Sequence, residues 1–436
     1  MTTTLRRPQQ PPPDRPRLTL AEVVEAVADG PLPVRFTAYD GSATGAQDSP
    51  FGLHLRTPRG ASYLLTAPGD LGLARAYVSG DLDLTGVHPG DPYPLLAALR
   101  PLRLRLPAPR TLPVIARSVG TDLLRPPPPP PQEALPRWRR IAEGVRHSRT
   151  RDAGAIQHHY DVSNAFYERV LGPSMTYTCA CFPDVDATLE QAQENKYRLV
   201  FDKLRLKEGD RLLDIGCGWG GMVRYAARRG VRALGATLSR EQATWARRAI
   251  EAEGLGDLAE VRHCDYRDVP ESGFDAVSSI GLTEHIGVRR YPAYFGAVRE
   301  RLRVGGLLLN HCITRPHNRH EPTGPFIDRY VFPDGELTGA GTVLAAVQDA
   351  GLEVRHEENL REHYALTLAQ WCANLRDHWD ACVAEVGEPT ARVWGLYMAG
   401  SRLGFEQGGV ELHQVLAVRT DGRGGTGLPL RPWWDA

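Results

Sequence analysis

The sequence predicts an α/β fold whose core is an open, doubly wound parallel sheet. From about residue 207 onward, short apolar runs alternate with helical segments, and this alternation is typical of βαβ units. The first of these runs ends in a cluster of glycines that opens a helix, as the ligand-binding turn of such a sheet does. With 436 residues, the chain has room for two or three domains of about 150 residues each.

The elements of the predicted sheet follow from the apolar pattern. The predicted strands are 211–215, 231–237, 259–264, 274–280 and 306–312, and the predicted helices are 222–229, 240–252 and 292–302. Residues 364–407 are also predicted to be helical, and they carry most of the late aromatic side chains. We expect these later helices to be insertions that form a lid.

The N-terminal part predicts a small α+β domain over residues 17–97. A helix is expected to begin after Thr19, whose hydroxyl can cap it. The predicted strands of this domain are 34–38, 53–56 and 63–66. Residues 1–16 are rich in Pro, Arg and Gln, so we expect them to be disordered.

The charges of the chain balance to zero overall but are unevenly distributed. Residues 98–151 contain twelve arginines and three acidic residues, a local charge of +9, and include six consecutive prolines at 126–131. One interpretation is a stiff, solvated linker. The other is a basic, partly apolar surface that docks on anionic lipid, where each basic residue contributes roughly 1 kcal/mol. Aromatic residues are scarce there, so a nucleic-acid partner is not expected.

The cysteines and the apolar runs predict where the protein works. Seven cysteines, an odd number without a CxxC pair, favour a reducing compartment without disulfides or a zinc site. The N-terminus has no apolar signal sequence, and no run approaches the ~18 apolar residues of a membrane span. We therefore expect a cytoplasmic protein that contacts the inner face of a membrane only from its surface.

The strongest motif is the glycine run at 212–221, Leu-Leu-Asp-Ile-Gly-Cys-Gly-Trp-Gly-Gly. Gly216, Gly218 and Gly220 follow a predicted strand, and glycines there let the backbone approach a ligand closely. Gly216 and Gly218 with Gly221 also fit the G-x-G-x-x-G spacing of dinucleotide-binding folds. The glycines alone therefore leave NAD open, as well as a purely structural turn.

Features outside the glycines favour S-adenosylmethionine. Asp214 lies just before the first glycine, where it can orient the turn or meet the methionine ammonium. The second strand ends in hydroxyl-bearing residues instead of the acid that would bind a ribose. The candidates there are Thr237, Leu238, Ser239 and Gln242. Asp265 follows the third strand, where it can accept from the adenine amino group with Tyr266 packed nearby, although Asp265 also fits a plain turn residue.

Several blocks of the chain, taken in order, carry a specific resemblance. They are 159–167, 175–182, the glycine run, 237–239, 279–287, 310–313 and 329–335. Together they resemble the cyclopropane fatty acid synthases and mycolic acid methyltransferases over residues 158 to about 405, with a weaker match before that. The resemblance implies a Rossmann-like class I methyltransferase fold.

The resemblance also implies a reaction and a site. The reaction would be methyl transfer from S-adenosylmethionine to a cis double bond of a fatty acyl chain, usually within a phospholipid. Tyr177 and Thr178 would help to cover the cofactor. A bicarbonate ion would also be bound. Its ligands would be Cys179, Glu284, His311, the backbone of Ile313, and Tyr364.

The chemistry of these residue types is consistent with that reaction. An alkene is a poor nucleophile, so methyl transfer leaves a carbocation, which aromatic faces can stabilise without attacking it. A carboxylate close to the cation could itself be alkylated, whereas a bound carbonate is a replaceable base. A polar cluster in an apolar cavity is costly unless it binds something.

Each proposed bicarbonate ligand also has a structural interpretation. Glu284 could cap the helix that follows it, and His311 could be a satisfied core histidine. Cys179 could be a small buried residue, and Tyr364 could serve helix packing. We expect Cys179 to be a hydrogen-bond partner rather than a nucleophile.

One block departs from the commoner family pattern. Leu282 and Thr283 precede Glu284 where many cyclopropane synthases carry Met-Phe. Together with the N-terminal blocks 38–42 and 68–75, this pair resembles the branch that makes methylene-branched chains. We therefore favour a 10-methylene acyl product, which a flavin-dependent reductase could saturate, and keep a cyclopropane product as the alternative.

Two other function classes stay open at this point. A methyltransferase for a small molecule would share the glycine run but gives the arginine-rich segment no role. A non-catalytic nucleic-acid or lipid-binding protein leaves the cofactor blocks unexplained. We favour a lipid-facing domain (17–97), a basic linker (98–150), a methyltransferase domain (151–420) and a flexible tail (421–436). Self-association stays open, because one protomer could hold the membrane while another reacts.

Overall fold

The computed structural model describes residues 17–105, 108–134, 163–319 and 321–434. The chain divides into two compact units. The first consists of Met1–Gly86 and Ala98–Pro128, and the second of Val87–Ala97 and Pro129–Ala436. The predicted disordered residues 1–16 and the start of the predicted catalytic domain at 151 lie outside the described residues. The domain bounds expected from the sequence stay a prediction.

The first unit combines a small sheet with short helices. Its elements are α1 (Leu20–Val27), β1 (Arg35–Ala38), β2 (Ala43–Gly45), β3 (Gly52–Leu55), α2 (Pro58–Thr66), α3 (Asp70–Val78) and β4 (Leu82–Thr85). The strand order is β2-β1-β3-β4, with β1 and β3 parallel. The predicted cap of α1 is confirmed, because the Thr19 and Glu22 side chains form a capping box.

The strand predicted at 63–66 is wrong, because these residues form the end of helix α2. The Thr57 hydroxyl accepts a hydrogen bond from the Gly60 N–H over 3.1 Å and caps this helix. Pro58 follows at the first helical position, where its fixed φ suits a helix. The buried Tyr63 packs into the core of the unit. The cap and this packing outweigh the strand propensity of the Tyr-Leu-Leu-Thr run.

Two more helices follow, α4 (Tyr93–Leu99) and α5 (Leu112–Leu123). Helix α5 lies inside the segment predicted as a linker, and it is interrupted at Gly120, whose φ is +75°. The six prolines of Pro126–Pro131 that follow carry neither helix nor strand. Within the part of the chain that the structure describes, no helix is both long and apolar enough to cross a bilayer.

The second unit is built on a seven-stranded, mostly parallel sheet, which confirms the predicted α/β fold. Its strands are β5 (Arg211–Ile215), β6 (Arg232–Thr237), β7 (Ala259–His263), β8 (Phe274–Ile280), β9 (Leu302–Thr314), β12 (Glu353–Asn359) and β13 (Glu411–Val418). Their order is β12-β13-β9-β8-β5-β6-β7. Strands β5 to β9 run parallel, and β13 is antiparallel to both of its neighbours. The order reverses at β5 and β8, and ligands bind at the carboxyl ends of strands at such a switch point.

Helices cover both faces of this sheet. Helices α7 (Leu189–Lys203), α8 (Gly221–Ala227) and α9 (Arg240–Ala252) pack in one core, and α11 (Tyr291–Arg301) and α13 (Ala340–Asp349) in the other. The unit also contains α6 (Asn164–Leu171), α10 (Thr283–Ile286) and α12 (Pro325–Tyr330). A short hairpin of β10 (Glu321–Pro322) and β11 (Glu336–Leu337) flanks α12. Neighbouring residues of β5 belong to opposite cores, since Leu212 packs in one and Leu213 in the other. The predicted bounds of β5, β8 and α9 are confirmed.

The predicted late helices are also confirmed, as α14 (Arg361–Asp377), α15 (Trp379–Val386) and α16 (Glu388–Glu406). The described part of the tail, 421–434, has no helix or strand. Two of its side chains are nevertheless anchored. The Trp433 indole donates to the Asp202 carbonyl over 2.8 Å, and Trp434 is buried in the core. The flexibility of the tail stays a prediction.

Candidate active site

The glycine run forms the turn between β5 and α8. Gly216, Gly218 and Gly220 have φ values of +75°, +54° and +74°, a region that residues with a Cβ rarely adopt. The N–H groups of Gly216 and Cys217 both donate to the Ala236 carbonyl, over 2.9 and 3.0 Å, and so fasten the turn to β6. The sequence therefore needs glycines here for the backbone path itself.

A cavity opens beside this turn at the carboxyl ends of β5 and β8. Six of the residues predicted to bind the cofactor line it, namely Tyr177, Thr178, Asp214, Gly216, Gly218 and Gln242. Gly221 also lines the cavity, and a Cβ there would lie 1.9 Å from the Tyr197 hydroxyl oxygen. The turn thus packs too tightly for a side chain at this position.

Asp214 places a buried carboxyl group at the cavity. Its Oδ1 accepts a hydrogen bond from the Ser278 hydroxyl over 2.6 Å. Burial raises the pKa of Asp214 to about 6, although Ser278 and the nearby Lys196 lower it. A buried carboxyl group of this kind favours a positively charged ligand, because such a ligand stabilises its ionised form.

Lys196 is a cavity residue that the sequence reasoning missed. Its side chain is buried, and its ammonium donates to the Thr178 hydroxyl over 2.9 Å. Burial lowers its pKa to about 8. A signal did exist, because Lys196 lies four residues before Val200 on the buried face of α7, where the helical period predicts an apolar side chain.

The predicted residues at the end of β6 support the cavity indirectly. The Thr237 hydroxyl donates to Gln242 Oε1 over 2.9 Å, and the Ser239 hydroxyl accepts from the Gln242 N–H over 3.2 Å as the cap of α9. The Leu238 carbonyl bonds the His263 ring. Of this group, only Gln242 lines the cavity, and Thr237 and Ser239 hold it in place.

Asp265 and Tyr266, the predicted adenine contacts, do not line this cavity. The carboxylate of Asp265 is engaged by Arg267, whose Nε and Nη2 lie 2.7 and 2.5 Å from its oxygens. The ring of Tyr266 packs edge-on against Tyr294. Their role in adenine binding stays a prediction.

Glu284 and Ile313 are joined directly. The Ile313 N–H donates to Glu284 Oε1 over 2.7 Å, so this backbone group satisfies the carboxyl instead of standing free for an anion. The second oxygen, Oε2, is buried and has no hydrogen-bond partner among the described residues. Burial raises the pKa of Glu284 to about 7. A large fraction of this side chain is therefore protonated near neutral pH.

His311 lies on β9 and is likewise only half satisfied. Its Nδ1 lies 3.1 Å from the Gln414 amide nitrogen, whereas its Nε2 is buried and has no partner within the described ranges. Burial, together with the positive charges of Lys196 and Lys203, lowers the pKa of His311 well below its ordinary value. The ring is therefore neutral.

The Cys179 thiol and the main-chain N–H of Tyr364 both approach the Leu360 carbonyl. The Cys179 thiol lies 3.9 Å from the Leu360 carbonyl, to which the Tyr364 N–H also donates, over 3.3 Å. The Leu360 N–H in turn donates to the Leu412 carbonyl, and Leu412 pairs with Ile313 across β13 and β9. Burial raises the pKa of Cys179 well above its ordinary value, so the group is a neutral thiol.

Aromatic side chains surround Tyr177 at the cavity. The centroid of its ring lies 5.4 Å from that of Trp371, 5.7 Å from that of Trp394 and 5.9 Å from that of Tyr167. Its hydroxyl donates to the Tyr397 hydroxyl over 3.1 Å. Helices α14 and α16, expected from the sequence to form a lid, thus supply three of these four neighbours.

The strand order, the reversal at β5 and β8, and the glycine turn beside a buried acid define a class I S-adenosylmethionine-dependent methyltransferase. The sequence profile described as mycolic acid cyclopropane synthetase matches residues 147–415. The chain therefore belongs to the mycolic acid cyclopropane synthetase family, as the sequence blocks predicted.

Individual relatives agree with this assignment. A Mycobacterium tuberculosis protein named probable fatty acid methyltransferase is 66% identical over 96% of this chain and 99% of its own length. Another from that organism, named tuberculostearic acid methyltransferase, is 32% identical over 89% of this chain and 88% of its own. The crystal structure of a mycolic acid cyclopropane synthase in complex with SAH and CTAB is 32% identical, with a TM-score of 0.58. That match covers 61% of this chain and 98% of the other.

Proposed function

We propose that this methyltransferase acts on the cis double bond of an unsaturated phospholipid acyl chain, such as an oleoyl chain, and forms a 10-methylene branched product. The observation that carries the proposal is that Glu284 and His311, both buried in the unit that holds the glycine turn, each have one polar atom without a hydrogen-bond partner among the described residues. The names of the relatives as fatty acid and tuberculostearic acid methyltransferases support a lipid substrate.

The cavity residues fit S-adenosylmethionine, which supplies an electrophilic methyl group when it is bound. Asp214 would pair with the methionine ammonium, and this explains why an acid is buried beside the turn. The turn at Gly216 and Gly218 lets the ligand lie close to the backbone. Gln242 and Thr178 would contribute polar contacts at the cavity wall.

The unpartnered atoms fit an anion such as bicarbonate, which would supply a replaceable base. Each buried polar atom without a partner costs about 1–3 kcal/mol, so Glu284 Oε2 and His311 Nε2 together favour a bound polar group. The protonated form of Glu284 and the neutral ring of His311 carry no negative charge, so in this state they would not repel an anion. Tyr364 and the Cys179 thiol would complete the ligand set.

The aromatic cluster around Tyr177 suits the cationic stage of the reaction. Transfer of a methyl group to one alkene carbon leaves the positive charge on the other. The ring faces of Tyr177, Trp371 and Trp394 can stabilise that charge, by about 0.5–2 kcal/mol each, without forming a bond to it.

The Leu282–Thr283 pair bears on the product. A Cβ at Gly216 would lie 3.2 Å from Leu282 Cδ1, so Leu282 packs on the cofactor turn, and the fully buried Thr283 connects it to Glu284.

A hydride shift to the cation followed by loss of a methyl proton gives the exocyclic methylene. Direct closure with loss of a methyl proton gives a cyclopropane ring. A flavin-dependent reductase is the partner we propose for the methylene product.

A basic, apolar patch in the first unit suits contact with the membrane surface. Its apolar members are exposed, with Leu104 at 60%, Leu112 at 47% and Leu124 at 48% exposure. Exposed arginines lie in the same stretch, at 103, 105, 110, 117 and 125. Apolar side chains that enter the lipid interface, combined with basic residues on anionic head groups, are typical of peripheral binding.

Product analysis tests the proposal. The protein is incubated with oleoyl phospholipid vesicles, S-adenosylmethionine and bicarbonate, and the acyl methyl esters are examined by mass spectrometry. We expect a gain of one CH2, fragmentation typical of an exocyclic methylene at carbon 10, and dependence on bicarbonate. The same mass gain with a ring would overturn the product assignment alone. No gain in the presence of cofactor binding would favour a small-molecule substrate.

A further inference from the structure

One row of polar side chains crosses three neighbouring strands of the sheet. Glu358 of β12 pairs in register with Gln414 of β13, which pairs with His311 of β9. Lys203, from the last turn of α7, lies against this row. Lys203, Gln414 and His311 are each 1% exposed and so are shielded from water, whereas the Glu358 side chain at the end of the row is 30% exposed.

Hydrogen bonds connect the row in one direction. The Lys203 ammonium is ion-paired with Glu358, and it donates to Gln414 Oε1 over 2.8 Å. The Gln414 Nε2 lies 3.1 Å from His311 Nδ1. Trp434 lies over the Lys203 ammonium, with its ring centroid 5.4 Å away. The tail therefore helps to enclose the cation.

The donor and acceptor inventory fixes the proton positions along this row. An ammonium group has donors only, so Gln414 must turn its carbonyl oxygen toward Lys203. Its NH2 group must then face His311, and Nδ1 must accept. A neutral imidazole that accepts at Nδ1 carries its proton on Nε2. An imidazolium is disfavoured, because two N–H groups would face each other.

We propose that Lys203 and Gln414 are positioning residues that hold His311 neutral with its proton on Nε2. The buried Nε2–H thereby becomes a hydrogen-bond donor to an acceptor oxygen in the active site. That this oxygen belongs to bicarbonate rests on the proposed function. In the opposite tautomer, Nε2 would be a lone pair and would repel an anion's oxygen. In this relay of Lys203, Gln414 and His311, the charge of Lys203 orients the Gln414 amide, and the amide determines which ring nitrogen of His311 carries the proton.

The tautomer of His311 is measured directly by two-bond nitrogen–proton NMR of protein labelled with 15N-histidine. The His311 signals are assigned by their loss in His311→Asn. We expect the pattern of an Nε2-protonated neutral ring in the wild type. Lys203→Met and Gln414→Met are expected to shift the ring toward a tautomer mixture, and the double variant should add little to either single one. Observation of the Nδ1-protonated ring in the wild type would overturn the proposal.

Kinetics give a second readout that loss of folding alone would not move. In Gln414→Met we expect the bicarbonate concentration for half-maximal activity to rise as the Nε2-protonated fraction falls, about twofold for an even tautomer mixture, with the KM for S-adenosylmethionine unchanged. Val415→Ala is the matched control, since Val415 is equally buried on the same strand and packs in the opposite core. An equal change in the control would contradict the relay.

The two proposals fail separately. A tautomer that is Nε2-protonated and depends on Lys203, in a protein without bicarbonate activation, would support the relay and count against the proposed function. Activation by bicarbonate, with a tautomer of His311 that is the same in the wild type, Lys203→Met and Gln414→Met, would support the function and overturn the relay.

Discussion

The main-chain N–H of Ile313 donates a 2.7 Å hydrogen bond to Glu284 Oε1 and leaves Oε2 buried without a partner among the described residues. The bond joins the helix that follows β8 to the end of β9. It holds one oxygen of a buried carboxyl group still and leaves the other available to a ligand. The acid is therefore positioned before any ligand arrives.

Burial of Glu284 makes the stability of the protein depend on pH. Its pKa rises from 4.5 to about 7 on folding, so the folded state binds a proton that the unfolded state lacks between these values. This contribution stabilises the fold at low pH and is lost as the pH rises through 7. The difference is about 3 kcal/mol between pH 4.5 and 8.

We therefore expect Glu284→Gln to stabilise the protein relative to the wild type more at pH 8 than at pH 4.5, by up to about 3 kcal/mol. Denaturant unfolding in bicarbonate-free buffer at the two pH values measures the difference. Glu251→Gln, at an exposed position of α9, is the control and should show none. An equal effect of Glu284→Gln at both pH values would contradict the raised pKa.

The same pKa predicts how bicarbonate binding depends on pH. Ionised Glu284 adds a negative charge beside the anion, so affinity should fall by up to about tenfold per pH unit above 7. Line broadening of 13C-labelled bicarbonate, at a concentration held constant across the pH range, measures it. In Glu284→Gln this decline should disappear. A wild-type affinity that rises with pH would show that Glu284 binds the anion as a carboxylate.

Asp214 is expected to bind the cofactor through its charge. Asp214→Asn keeps an acceptor for the Ser278 hydroxyl but removes the negative charge, so we expect affinity for S-adenosylmethionine to fall about 10- to 100-fold, the range for a lost charged hydrogen bond. Calorimetric titration measures the affinity. Asp257→Asn, at an exposed loop position, should bind as the wild type does. Unchanged binding by Asp214→Asn would remove Asp214 from the cofactor site.

The basic patch is tested by binding to vesicles. Arg110→Gln and Arg117→Gln together should lower the affinity for anionic vesicles, measured by co-sedimentation, about 30-fold, because each arginine contributes about 1 kcal/mol. The loss should shrink at high salt, and neutral vesicles should show little of it. Arg240→Gln and Arg248→Gln together, at exposed positions of α9 in the second unit, are the matched control. An equal loss in this control would indicate a diffuse charge effect instead of a patch.

The sequence predicted the bounds of secondary structure best where a short apolar segment lies between two turns. Strands 211–215 and 274–280 are short, mostly apolar segments, each followed directly by a glycine, and their predicted bounds agree with the structure. Helix α2 was mispredicted as a strand, because its cap at Thr57 and its packing outweigh the propensity of Tyr63 and its neighbours.

Site residues could be predicted where the residue type and its sequence block indicate a chemical role. They were harder to predict where the role depends on contacts between distant parts of the chain. Glu284 and His311 could be named from sequence blocks, but their unpartnered atoms are visible only in three dimensions. Lys196 and Lys203 were overlooked because charged residues are expected on the surface, although both lie on the buried face of α7. The pairing of Asp265 with Arg267 likewise depends on a turn that composition does not specify.

The most direct test of the central claim uses S-adenosylmethionine with a trideuterated methyl group and oleoyl phospholipid vesicles. Methyl transfer to the alkene, followed by loss of one methyl deuteron to a base, leaves two deuterium atoms on the new carbon, and mass spectrometry of the acyl chain counts them. We predict two deuterium atoms in the acyl chain of the wild-type product. Three deuterium atoms, or a label found only on the head group or on a small molecule, would contradict C-methylation with deprotonation.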